Sequence, residues 1–221
     1  WRKLWEERLA PEAQIPYRLA QMEYDYQTDS ASAQDGGVLA DLPETDAETP
    51  WQIRLGTMYL AYLYADGRAS GEHVRKHIRE LADSLDREEP QVCRWNARAL
   101  LYLAEARWGE RDDLMQWIRE TDGEIENDAG KTRFYMAAEV KVNLYLGNYG
   151  YAESILDVLI PYFERNGNHR WLAESLFQMA VVRWESGEKL RALETAAKSL
   201  ETAGPYRYVR IYTGYGAAGA E

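Results

Sequence analysis

His73 and His77 stand four residues apart in a stretch that reads as helix, a spacing that sets two imidazoles on one face as zinc ligation requires. Val74 sits where a metalloprotease pair carries its general-base glutamate, and Arg75, Lys76 and Arg79 surround the histidines with positive charge. His169 is the one other histidine and no third ligand announces itself, so the pair reads as structural and no metal site is expected. "GNYG" at 147–150 lacks the Lys-Ser/Thr ending of a phosphate loop and follows a helix instead of a strand, which makes it a turn. Cys93 has no histidine partner in sight and reads as a small buried hydrophobe. Carboxylate pairs such as Glu6-Glu7 and Asp112-Asp113 read as solvated faces and first-turn helix charges. No catalytic set emerges, so a non-enzymatic protein with no cofactor in this segment is expected.

The bulk composition narrows the classes further. With 221 residues, 46% hydrophobic and 29% charged, the chain is long enough to bury a sizeable core. Its net charge of -11 repels phosphate backbones, so direct nucleic-acid contact is not expected. A lone cysteine, no signal peptide and no apolar run of membrane-spanning length point to the cytoplasm and to no membrane partner. The chain opens on Trp1 and ends on "IYTGYGAAGAE", which reads as a piece of a larger protein. Sixteen Tyr and eight Trp against three Phe favour rings with a polar handle, a composition that suits either a binding surface or the gaps between packed helices.

What would position these rings is an array. Gly67, Gly109, Gly147 and Gly187 each follow an apolar, aromatic-rich stretch and precede a polar turn, at separations of 42, 38 and 40 residues. A period in that range is the signature of helix-pair repeats. In the clearest unit Trp171–Trp184 forms helix A and Lys189–Thr202 helix B, with Gly187 supplying the φ > 0 turn. Leu190, Leu193, Ala197 and Leu200 recur at three and four residues and are expected to face inward, and Gly204-Pro205 writes the stop. The preceding unit pairs Phe134–Leu146 with Tyr151–Phe163, whose expected inward residues are Ala152, Ile155, Leu159 and Tyr162, with a kink at Pro161. Arg54–Ala65 with Val74–Leu85, and Asn96–Trp108 with Asp112–Ile125, make the earlier pairs.

The expected architecture is thus all-α, a right-handed superhelix of about five helix pairs. Residues 1–50 form a degenerate leading repeat, 51–90, 91–130, 131–168 and 169–204 the pairs, and 205–221 the first helix of a further repeat.

Ala180, Gly187 and Ala192 stand like the small residue of helix A, the turn glycine and the packing alanine of helix B in tetratricopeptide repeats, and Ala152 follows Gly147 by the same five residues. The first two units depart from this, with Glu72 and Leu114 at the alanine position. The period near forty, the Leu-Pro stretch "LADLPETDAETPW" and the closing "GPYRYVRIYTGYG" resemble the MalT-like TPR region of LuxR-family, ATP-dependent bacterial transcription activators. The resemblance implies a sensor lying between an ATP-binding module and a helix-turn-helix, with ATP held only in that flanking module and self-association possible in the full-length protein. It receives a small inducer or a regulatory protein. The rival reading is a plain TPR scaffold that docks a partner's peptide in an open groove with a basic clamp.

In such arrays the A helices line the concave face. Counting back from each turn glycine proposes Tyr64, Arg107, Lys141, Tyr145 and Trp184 there, and one turn further up Arg54, Asn96, Phe134 and Glu174; Phe177 joins them from the last A helix. Arg54, Arg107 and Lys141 among rings would suit a ligand with an apolar body and an anionic or hydroxylated edge.

Overall fold

The computed structural model describes residues 10–29, 42–65, 67–85, 91–109, 111–112, 114–115, 118 and 132–212. Every element among them is helical: α1 (Pro11–Gln27), α2 (Trp51–Tyr64), α3 (Gly67–Leu85), α4 (Gln91–Trp108), α5 (Arg133–Leu146), α6 (Tyr149–Arg165), α7 (His169–Glu185), α8 (Lys189–Ala203) and 3-10 turns at Gly204–Tyr206 and Arg210–Tyr212. No helix among the described residues is long and apolar enough to cross a membrane.

The glycine rule holds in the second half of the chain with an addition. Gly147 and Gly187 adopt φ of 80° and 85°, and so does Gly167, at 63°, in the α6–α7 turn. Each closes its helix by one pattern. The residue after the glycine donates its N–H to a carbonyl five residues back (Asn148 to Asn143, Asn168 to Phe163, Glu188 to Arg183), and the glycine donates to a carbonyl three back. That double closure satisfies the orphan carbonyls of the last turn and needs a left-handed residue, which a Cβ resists. Nothing lies within 4 Å of a Cβ built on Gly147 or Gly187, so the cost there is conformational alone. Gly147→Ala and Gly187→Ala are therefore each expected to lower stability by about 1 kcal/mol, read as a shift in the urea midpoint with unchanged slope.

The first half turns differently. Gly67 is the first residue of α3, and α2 ends at Ala65 in an extended conformation, φ −67° and ψ 116°. Gly109 follows α4 and returns its N–H to the Glu105 carbonyl at 2.8 Å, without a left-handed φ. The small residue that lets α3 approach its neighbour is Gly71, one position before Glu72: a Cβ there would lie 2.2 Å from the Trp108 indole nitrogen. Leu114 occupies the position five residues after Gly109 and is fully buried, so the register holds there with a larger side chain. The rest of Asp112–Ile125, beyond 112, 114, 115 and 118, lies outside the described residues.

The core runs as a chain of clusters, each shared by consecutive helices. Leu55, Ile78, Leu85 and Leu100 join α2, α3 and α4; Trp95, Tyr102, Tyr135 and Val142 join α4 to α5; Val140, Leu156, Leu159, Leu172 and Val182 join α5, α6 and α7. Ile155 and Leu159 are buried as expected, with Leu156 and Phe163 beside them, and α6 continues through Pro161 to Arg165. A charged tie reinforces one joint: the buried Glu105 of α4 holds Arg75 at 3.0 Å and Arg79 at 2.5 Å, both from α3.

Helix α8 reverses the expected orientation. Ala192, Thr195, Ser199 and Ala203 are its buried residues, whereas Leu190, Leu193 and Leu200 are 73%, 59% and 58% exposed. The reason is close packing: Ser199 Oγ donates to the Ala173 carbonyl at 2.7 Å and Arg183 donates to Thr195 Oγ1, contacts that a leucine face against α7 would forbid.

Beyond α8 the expected further helix does not form over the described residues. Pro205 cannot continue α8, Arg207 turns left-handed at φ 58°, and the chain runs back to α1. There the Val209 N–H donates to the Gln27 carbonyl at 2.9 Å and Arg210 pairs with Asp29. Of the expected leading repeat, α1 is the described helix, and 1–9 and 30–41 lie outside the described residues.

Candidate functional site

Side chains of α2, α5 and α7 meet at one junction. Tyr59 in the middle of α2 packs edge-on against Phe134 at the start of α5, ring centroids 5.6 Å apart, and its hydroxyl accepts from Arg170 Nη2 of α7 at 2.8 Å. From this junction a ladder of rings runs both ways. Tyr62 stacks on Tyr59 and meets Trp108 at 5.4 Å, while Phe134 meets Trp171, which stacks on Phe163. Such edge-to-face and offset pairs fix ring positions beyond what burial alone does.

Charged groups sit beside the ladder. Lys141 Nζ lies 2.7 Å from Glu174 Oε1, and Arg170 lies 3.8 Å from Glu174 Oε2 and 3.4 Å from Glu23 of α1. The Arg170 guanidinium also stacks on Trp171 at 4.2 Å. Glu174 is only 5% exposed. Burial pushes its carboxyl up, but Lys141 and Arg170 together outweigh burial and hold it below the usual carboxylate range. Burial also pushes the Tyr59 hydroxyl up to about 12, against the opposing pull of Arg170, so Tyr59 stays protonated and Arg170 stays charged at neutral pH. Two cations and two carboxylates balance in this cluster. Among the described residues, the buried Arg170 Nε and Nη1 and Glu174 Oε2 have no hydrogen-bond partner.

The expected groove residues divide into three groups. Phe134 and Lys141 belong to this junction, and Glu174 completes it. Arg54, Arg107, Tyr64 and Asn96 serve the scaffold. Arg54 is buried and donates to Ser84 at 2.7 Å, and Arg107 caps the end of α2 by donating to the Tyr62 and Ala65 carbonyls while lying over the Tyr62 and Trp108 rings. Tyr64 donates to the Met22 carbonyl of α1 at 2.8 Å, and Asn96 Oδ1 accepts from Thr132. Tyr145, Phe177 and Trp184 lie elsewhere: Tyr145 is exposed, Phe177 meets Tyr212 edge-on at 4.9 Å, and Trp184 carries Lys189 over its face at 3.5 Å.

Tyr59, Glu23 and Arg170 are the members that counting from the turn glycines misses. Their partners lie 111 residues away in the case of Tyr59 and Arg170, a distance that no local spacing encodes. The His73 and His77 rings are 4.3 Å apart on an exposed face of α3, and His77 Nδ1 donates to the His73 carbonyl at 2.8 Å. Among the described residues no three His, Cys, Asp or Glu side chains converge as a metal site would need. A concavity of about 320 Å³ lies between α6, α7 and α8, lined by Ile160, Leu176 and Met179 together with Asp157, Arg183, Glu194 and Lys198.

No family model, curated protein or solved structure matches this chain.

Proposed function

We propose that this chain is a non-catalytic binding region built as a superhelix of TPR-like helix pairs, the sensor of a LuxR-family ATP-dependent regulator, which receives a small inducer or a regulatory protein on the inner face of its A helices. One observation carries the reading: Tyr59, Phe134 and Arg170, from three separate A helices, meet at an aromatic junction flanked by a balanced set of charges, of which Glu174 and Arg170 are nearly buried. An open peptide groove would keep those helices apart and leave its basic clamp to the partner. Here Arg107 is spent on helix carbonyls and Lys141 on Glu174, which favours a closed site for a compact ligand. The rings offer stacking faces, and the Tyr59 hydroxyl and Arg170 donors offer polarity suited to a hydroxylated or anionic edge.

Helix α1 belongs to this site. Met22 and Glu23 bring it onto Tyr64 and Arg170, so entry of a ligand is coupled to the position of α1 and, through Arg210 and Asp29, to the C-terminal segment. That coupling is what a sensor needs, since a ligand shifts an equilibrium only by its unequal affinity for two arrangements.

A thermal-shift screen of sugars, amino acids and aromatic metabolites tests the reading. At a hundredfold excess over Kd a specific ligand adds about 2.7 kcal/mol to folded-state stability. For a chain of this size that is a rise of roughly 5 to 11 °C in Tm. Phe134→Leu, which keeps apolar volume but removes the ring contacts to Tyr59 and Trp171, is expected to abolish most of the shift. A screen without a hit, alongside saturable binding of extended peptides, would favour the scaffold reading and overturn this one.

A further inference from the structure

The leucines of α8 stand apart from everything the inner face explains. Leu190, Leu193, Ala197 and Leu200 follow one another at three, four and three residues and are all exposed. At 100° per residue they occupy about 80° of the helix circumference, away from the Ala192, Thr195 and Ser199 face that packs on α7. This three-four-three rhythm is the seam of a two-helix coiled coil, in which each leucine inserts between four side chains of a facing helix. Among the large apolar residues described, Leu190, Leu193 and Leu200 are the most exposed.

The internal repeat shows what such a face is for. Leu200 stands forty residues after Ile160 of α6, and Ile160 packs into the cluster that includes Leu172 and Met179 of the next helix, α7. Leu200 therefore stands on the side where a following helix would lie, while Gly150 and Asp157, the counterparts of Leu190 and Ala197 in α6, are exposed. Over the described residues the chain goes elsewhere: after Pro205 it turns inward, and Ile211 and Tyr212 pack beside Ala173, Ala203 and Phe177. Leu190 and Leu193 moreover replace Gly150 and Glu153 of α6, so α8 is more apolar on this side than the joint inside the array requires.

Charge sets the chemistry of what covers it. Glu194 and Glu201, both exposed, border the stripe next to Leu190 and Ala197. On the opposite border Lys189 is drawn over the Trp184 ring. We propose that the leucine face of α8 is a docking surface for an amphipathic helix of a partner protein, one with an apolar stripe at three- and four-residue spacing and Lys or Arg along the edge that meets Glu194 and Glu201. The mode is helix against helix, with leucines giving affinity and the acidic border giving orientation. This site is separate from the inner-face site and acts whether or not that site binds a ligand.

The test uses two fluorescein-labelled, helix-stapled peptides with the same leucine spacing, one edged with lysines and one with glutamates, titrated by anisotropy against the whole chain. The lysine-edged peptide is expected to saturate, and Leu193→Glu with Leu200→Glu to weaken it by about tenfold or more. Glu194→Lys with Glu201→Lys is expected to transfer the preference to the glutamate-edged peptide. The substituted side chains point to water, so the circular-dichroism melt of each variant should reproduce the parent's; Leu190→Glu, at the most exposed position, repeats the test with a single change. No saturation by either peptide, or binding indifferent to the leucine changes, overturns the proposal. So does light scattering that finds a dimer which Leu193→Glu with Leu200→Glu turns into monomer, because a second copy would then be the occupant.

Discussion

Gly71→Ala is expected to destabilise the chain by about 3 kcal/mol, a fall of roughly 6 to 12 °C in Tm. The added methyl would stand 2.2 to 2.4 Å from three atoms of the Trp108 indole. Trp108 cannot step aside freely, because its ring also meets Tyr62 edge-on and carries Arg107 at 4.8 Å, and Arg107 in turn caps α2. Either α3 moves off α4 or this corner is rebuilt. Shrinking the indole should relieve the clash, so Gly71→Ala combined with Trp108→Leu is expected to cost less than the sum of the two single changes. Urea titrations of the three variants measure it. A Gly71→Ala chain within 0.5 kcal/mol of the parent, a margin typical of surface changes, would show that α3 and α4 do not meet as closely as described.

Glu174→Ala carries the other large effect, about 3 kcal/mol, because it leaves Lys141 and the nearly buried Arg170 facing each other without the carboxylate between them. Its pH dependence identifies the cause. A carboxyl held below its usual range contributes stability that is fully present above the ordinary glutamate value, near 4.3, and is lost as pH falls through the lowered one. The gap in Tm between the parent and Glu174→Ala should therefore be widest near neutral pH and shrink below about pH 4. Thermal melts at stepped pH read this directly. A gap that stays constant down to pH 3 would mean that Glu174 acts through packing and not through its charge.

The helices and their turns were legible where local chemistry dictates them. Left-handed closures at Gly147 and Gly187 follow from glycine's freedom at φ > 0, and the same reasoning reaches Gly167 once "NGN" between two apolar stretches is read as an Asn-Gly turn. Around Gly67 it misleads. "GRASG" carries two breakers, yet α3 begins at Gly67 and holds Gly71 inside it, where Trp108 leaves no room for a Cβ, so tertiary packing overrides propensity. Helix α8 fails for a related reason. Hydrophobicity places leucines inside, but the helix lies so close to α7 that only Ala192, Thr195, Ser199 and Ala203 fit between them. Cations were the weakest guide to the site. Arg54, Arg107 and Lys141 could be located on their helices, but their partners Ser84, Ala65 and Glu174 lie 30 to 42 residues away in the first two cases and on another helix in the third. The Tyr59–Arg170 contact joins α2 to α7 across 111 residues and depends on how all the helices between them pack.

Hydrogen exchange with and without the strongest stabilising compound from the screen tests the central claim most directly. Slower exchange is predicted in α1 around Met22 and Glu23, in α2 around Tyr59, and in the first turns of α5 and α7 around Phe134 and Arg170, with α8 unchanged. Protection confined to α8 or to the concavity lined by Ile160 and Met179, with the Tyr59 and Phe134 segments unaltered, would contradict it.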